Sequence, residues 1–177
     1  MQLGSRAGRG AQSGALSVTE VAWCIEGERP LADGAVERAV RAALRHGERA
    51  LVELSVVFVT DPVLAEMHAK HLGDSSETDV ISFDLGEDTV GPAGELYISV
   101  DRARAVAGLR GSSLERELLL YVVHGALHLC GYDDHEDDER ERMRTAERHV
   151  MGELGFPPDG LPHDIDHDDV GGGNASP

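Results

Sequence analysis

The sequence lacks a disulfide framework and any long apolar run. It has two cysteines, Cys24 and Cys130, which is too few for the disulfide bonds that stabilise a small secreted protein. A reducing, cytoplasmic compartment is therefore expected. No run of 18 apolar residues occurs, and the first 14 residues lack the apolar stretch of a signal peptide. The sequence therefore predicts neither a membrane span nor secretion.

Positive charge is also scarce. The 177 residues include 16 Lys and Arg against 33 Asp and Glu, which gives a net charge of -17 with histidine neutral. This charge favours solubility. It disfavours broad, non-specific binding to nucleic acid, because such binding needs basic surface to displace counterions. A role on nucleic acid would have to depend on a local basic patch or on a partner.

Both ends of the chain have the composition of disordered tails. Residues 1–15 are rich in Gly, Ser and Arg without periodicity, and residues 157–177 combine prolines, a triple glycine and an acidic stretch. Such segments bury too little apolar surface to fold. Residues 16–156 are therefore predicted to form one domain, which is long enough to bury a hydrophobic core.

Within that domain the hydrophobic pattern switches between the periods of strands and helices. Strands are predicted near residues 16–25, 54–59, 79–85 and 95–100, and helices near 34–46, 61–71, 99–106, 114–130 and 136–154. The predicted fold class is α+β, a mixed sheet of about four strands packed with about five helices. The fourth helix is the most apolar and is expected in the core.

This fourth helix carries two histidines. Ser112 and Glu115 have the spacing of a capping box at its start, and Gly131 suits a left-handed exit at its end. His124 and His128 are four residues apart, so their rings lie on one face of the helix. Because unpaired polar groups are costly in apolar surroundings, a shared metal ion would supply the partner they need. Two histidines satisfied by ordinary hydrogen bonds are the alternative.

A third ligand is available just past the helix. Asp134 lies ten residues after His124, and His135 follows it; carboxylate and imidazole both bind zinc, so spacing alone leaves the choice open. Three protein ligands leave one position for water, which is typical of catalytic zinc sites. Gly125 stands where zinc peptidases carry their glutamate base, which disfavours a peptidase.

These residues resemble the signature of the YbeY family, bacterial rRNA maturation factors described as endoribonucleases. The similar segments are residues 124–133, the strands at 78–83 and 94–99, and the acidic start of the last helix at 136–139. The resemblance covers about residues 16–156. It implies one Zn²⁺ ion held by His124, His128 and the residue in register with Asp134, where many members have histidine. A slip of one residue would place His135 on the metal instead.

The resemblance also implies a function. The expected enzyme is a cytoplasmic, zinc-dependent endoribonuclease that cleaves single-stranded rRNA precursors, in 16S rRNA 3′ end processing and ribosome quality control. Its expected partners are the RNA substrate and the small ribosomal subunit, with no DNA and no membrane. Glu95 and Asp133 are the carboxylates expected to carry protons or to support the metal ligands.

One departure from the family keeps other functions open. Leu72 stands where many members have an arginine proposed for RNA contact or catalysis, and the nearby Lys70 lacks the bidentate fork of arginine. The alternatives are a ribosome-assembly factor whose metal only stabilises the fold, and another zinc hydrolase such as a peptidase.

Overall fold

A computed structural model describes residues 17–27, 29–51, 53–72, 78–88 and 91–156. Both predicted tails lie outside these ranges, so the tails and the domain bounds stay predictions. The described residues form four strands and five helices: β1 (Ser17–Trp23), α1 (Ala35–His46), β2 (Glu53–Val59), α2 (Asp61–Leu72), β3 (Val80–Asp88), β4 (Gly91–Ser99), α3 (Val100–Arg110), α4 (Leu114–Leu129) and α5 (Asp137–Glu153). Among them, no helix is both long and apolar enough to cross a membrane.

The four strands make one mixed sheet in the order β1-β2-β4-β3. The neighbours β1 and β2, and β2 and β4, are parallel, whereas β3 runs antiparallel to β4. The predicted α+β class, with about four strands in a mixed sheet and about five helices, is confirmed. The expected core position of the fourth helix is confirmed too, because α4 packs against β3, β4, α1, α3 and α5.

Successive side chains of β4 point to opposite faces of the sheet. Leu96 and Ile98 belong to the main core, which also contains the apolar residues of α4. Tyr97 points to the other face, where it packs with Leu64 of α2 and Ile81 of β3 in a smaller cluster. The helix with the two histidines therefore lies on one face of the sheet, and α2 lies on the opposite face.

Gly125 allows α4 to approach the sheet closely. A Cβ atom at this position would lie 2.9 Å from Val80 Cγ2, 3.0 Å from Leu96 Cδ2 and 3.1 Å from Ser82 Oγ. The Ser82 hydroxyl also donates a hydrogen bond to the Gly125 carbonyl, at 3.1 Å. A glutamate at this position would meet the sheet, so the packing itself excludes the glutamate base of zinc peptidases.

Of the two predictions for the ends of α4, the one for its start is wrong and the one for its end is confirmed. The predicted capping box at Ser112 and Glu115 is wrong: Ser113 is the N-cap, and its hydroxyl accepts a hydrogen bond from the backbone N–H of Arg116. The Ser112 hydroxyl instead donates to the buried carboxylate of Glu117, at 2.7 Å. The left-handed exit at Gly131 is confirmed by its φ of 87°.

Replacing Gly125 with alanine should destabilise the protein. Overpacking of a core costs about 1–3 kcal/mol, which exceeds the gain of up to about 1 kcal/mol from the better helix propensity of alanine. Gly108→Ala in α3 is the matched control, because a Cβ there meets nothing within 4 Å, and it should raise the melting temperature slightly. Thermal unfolding of both variants measures the difference. A melting temperature of Gly125→Ala equal to that of Gly108→Ala would contradict the close packing.

Candidate metal centre

Three potential ligand atoms converge where α4 ends. The Nε2 atoms of His124 and His128 are 3.0 Å apart, and Asp134 Oδ2 lies 3.5 Å from the first and 3.8 Å from the second. Ligands held about 2.0–2.1 Å from a tetrahedral zinc ion would be separated by roughly 3.3 Å. The three separations lie around this value, so one ion fits among these side chains.

Hydrogen bonds on the far side of each ring aim the two Nε2 atoms at each other. His124 Nδ1 donates to Glu147 Oε1 at 2.6 Å, and His128 Nδ1 donates to the backbone carbonyl of Tyr132 at 2.9 Å. Metal-binding histidines in proteins usually have such a carboxylate or carbonyl partner, because it fixes the tautomer and the orientation of the ring. Both rings are thus set to bind through Nε2.

The close contact of the two Nε2 atoms needs a proton or a metal ion between them, since two bare lone pairs at this distance repel. Burial lowers the pKa of His124, but the hydrogen bond and charge of Glu147 outweigh it and raise that pKa to about 9. The pKa of His128 is lowered by burial and by the charge on His124. A metal ion that binds here must replace any proton on these nitrogens.

The turn after α4 brings Asp134, and not His135, to the histidine pair. Gly131 reverses the chain, and the Asp134 carboxylate faces the two rings. The His135 side chain is 84% exposed, and its Nε2 lies 3.5 Å from Asp133 Oδ1. With Asp133 and Asp134 it forms a second group of ligand type, but this group is more exposed and has a single histidine.

The two carboxylates expected to serve catalysis lie in different places. Asp133 borders the site: its exposed carboxylate accepts a hydrogen bond from the Asp134 N–H at 2.8 Å, and this bond lowers the pKa of Asp133. Glu95 lies on β4 in alternation with Leu96, on the face away from α4, where it accepts a hydrogen bond from Tyr97 Oη at 3.1 Å. The structure therefore does not bring Glu95 to the three ligand atoms.

Glu147, which is 3% exposed on α5, is a residue of the site that the sequence did not predict. A signal was present, because Glu147 stands between Met143 and Val150 at helical spacing, on the stripe that faces the core. A carboxylate on an apolar stripe needs a buried partner. The sequence did not show that the partner is His124, because the two residues are 23 positions apart.

Comparisons with known proteins identify relatives of this chain. The sequence model of the family described as Endoribonuclease YbeY matches residues 26–155. A Desulfitobacterium hafniense protein named Endoribonuclease YbeY is 37% identical over 74% of this chain and 90% of its own. A Pelotomaculum thermopropionicum protein of the same name is 38% identical, over 68% and 85%. The solution structure of a Thermotoga maritima protein matches with a TM-score of 0.50 at 24% identity, over 83% of this chain and 99% of that one, which supports the fold.

Replacing Glu147 with glutamine should weaken metal binding. The amide keeps the size of the side chain but loses the charge that holds the His124 ring, and loss of such a partner typically costs about 10- to 100-fold in metal affinity. Competition with a chromogenic zinc chelator measures the affinity. Glu153→Gln, an exposed carboxylate on the same helix, should bind zinc as the wild type does. Equal affinities of the two variants would show that Glu147 does not support the site.

Proposed function

The chain belongs to the endoribonuclease YbeY family, and we propose that it is a zinc-dependent endoribonuclease that cleaves single-stranded rRNA precursors. The observation that supports this most is the convergence of His124, His128 and Asp134 within the segment that the family model matches. We extend the proposal to maturation of the 16S rRNA 3′ end and to ribosome quality control, with the small ribosomal subunit as partner and the cytoplasm as the place of action.

The donor set favours zinc over harder cations. Two imidazole nitrogens and one carboxylate oxygen suit zinc in a tetrahedral site, whereas magnesium and calcium prefer all-oxygen ligands. The three ligands leave the fourth direction open. The side chains of His128 and Asp134 are 27% and 36% exposed, against 9% for His124. Substrate would therefore reach the site from the side of His128 and Asp134.

Residues around the site are proposed to hold the metal ligands in place and to accept a proton. A zinc ion, when bound, lowers the pKa of a coordinated water and polarises a phosphoryl oxygen. Glu147 and the Tyr132 carbonyl hold the two imidazoles in place. Asp133, ionised and at the rim, is proposed to accept the proton that the nucleophile loses. Glu95 is proposed to stabilise the far face of the sheet through Tyr97.

Substitutions at Asp134 and at its neighbour His135 test which of the two residues is the third ligand. Asp134→Ala should lower zinc affinity at least ~10-fold, since it removes a direct ligand, whereas His135→Ala should leave it unchanged. Asp134→His should retain zinc, because imidazole is an equally good ligand. Zinc content after dialysis and chelator competition measure all three. Zinc loss in His135→Ala with retention in Asp134→Ala would assign the ligand to His135 instead.

The nuclease activity is tested with purified protein and a single-stranded RNA that spans the 3′ end of precursor 16S rRNA. Zinc-loaded wild type should cleave it, a chelator should stop cleavage, and added zinc should restore it. His128→Ala should lose at least ~100-fold in rate, since the loss of several kcal/mol of charge stabilisation slows the step to that extent. His135→Ala, an exposed neighbour, should cleave normally.

Two results would point to other functions. Equal cleavage by wild type and His128→Ala would contradict metal-dependent catalysis. A melting temperature that rises with zinc, without cleavage at any zinc concentration, would favour an assembly factor with a structural metal.

A further inference from the structure

A groove of about 750 Å³ lies between the end of α1 and the start of α5, beside the metal centre. Pockets for small ligands typically have about 300–1,000 Å³, so the groove can hold a group of nucleobase size. Its lining residues are His46, Tyr132, Asp138, Glu141, Arg142, Thr145 and Ala146. The proposed function assigns no task to this groove.

Flat aromatic rings form one wall of the groove. The ring centroids of His46 and Tyr132 are 6.2 Å apart, at an interplanar angle of 35°. The His46 ring also contacts the ring of His149, with the two centroids 4.9 Å apart. Aromatic and imidazole rings are the surfaces on which the bases of single-stranded nucleic acids stack.

The remaining polar residues of the lining carry charges of both signs. Asp138, Glu141 and Arg142 contribute two carboxylates and one guanidinium, and Thr145 adds a hydroxyl. A track for phosphates would need mostly cations, whereas this groove has more carboxylates than guanidinium groups, so it does not suit a phosphate. A neutral base uses both kinds of group, since its N–H groups donate to carboxylates and its ring nitrogens and carbonyls accept from Arg142 or Thr145.

Tyr132 connects the groove to the metal centre. Its carbonyl accepts the hydrogen bond from His128 Nδ1 at 2.9 Å, and the same residue lines the groove. Asp134 follows two positions later and reaches the histidine pair. An RNA strand whose phosphodiester lies at the metal ligands would therefore place an adjacent nucleotide against Tyr132.

We propose that this groove binds one base of the single-stranded RNA substrate, next to the scissile phosphodiester, by stacking on His46 and Tyr132. The inference rests on the proposed function for the identity of the ligand. It assigns to the groove a role in substrate affinity, and it leaves the chemical step to the metal centre.

The test compares ring-removing with ring-keeping variants. His46→Ala should raise the KM of the zinc-loaded enzyme, and its Kd for RNA after chelation, about 5- to 100-fold, which is the range for the loss of one stacking contact. Its kcat, zinc content and melting temperature should stay at wild-type values. His46→Phe should bind RNA about as tightly as the wild type. Tyr132→Ala and Tyr132→Phe repeat the comparison of Kd alone on the second ring, because the Tyr132 backbone also holds His128.

A fluorescent base locates the contact. RNAs with 2-aminopurine at successive positions should show strong quenching at one position, and His46→Ala should abolish it. The proposal is overturned if the Kd of His46→Ala and of Tyr132→Ala equals that of the wild type, or if His46→Phe binds as weakly as His46→Ala. Binding that depends on the rings, in a wild type that cleaves no RNA, would support the groove while contradicting the nuclease.

Discussion

The hydrogen bond between His124 and Glu147 is the contact on which the metal centre depends. It joins α4 to α5, both partners are buried, and its length is 2.6 Å. A buried carboxylate is strongly destabilising unless it is paired, and His124 is a partner of Glu147. The bond also turns His124 Nε2 toward His128. One interaction therefore ties two helices together and orients the first metal ligand, which links the stability of the core to the chemistry of the site.

Close packing of α4 against the sheet is the second constraint. Because Gly125 lies against Val80, Ser82 and Leu96, the residue after the first histidine has no room for a side chain. A peptidase of the usual zinc type would need its glutamate at this point. The same packing holds the helix still relative to the sheet, so His124 is presented from a rigid element, which suits a site that must keep its ligands in place.

The patterns of period two and 3.6 predicted the four strands and five helices closely, because each element covers its own face of the core and so repeats its apolar residues at the matching spacing. The sequence predicts Ser112 as the cap of the fourth helix, but Ser113 caps it, since both serines precede the same apolar run and only the backbone geometry distinguishes them. Glu95 is predicted to carry protons or to support the metal ligands, but the alternation of β4 points its side chain to the other face of the sheet.

The sequence by itself determined the α+β class, the helix with His124 and His128, and the left-handed turn at Gly131, because these depend on neighbours within a few positions. It left open whether Asp134 or His135 faces the histidines, and it did not identify Glu147 as their support. Only the tertiary structure brought Asp134 to the pair and α5 to α4. The reason is physical: spacing along one helix fixes which residues share a face, whereas contacts between elements depend on how the packed core positions them.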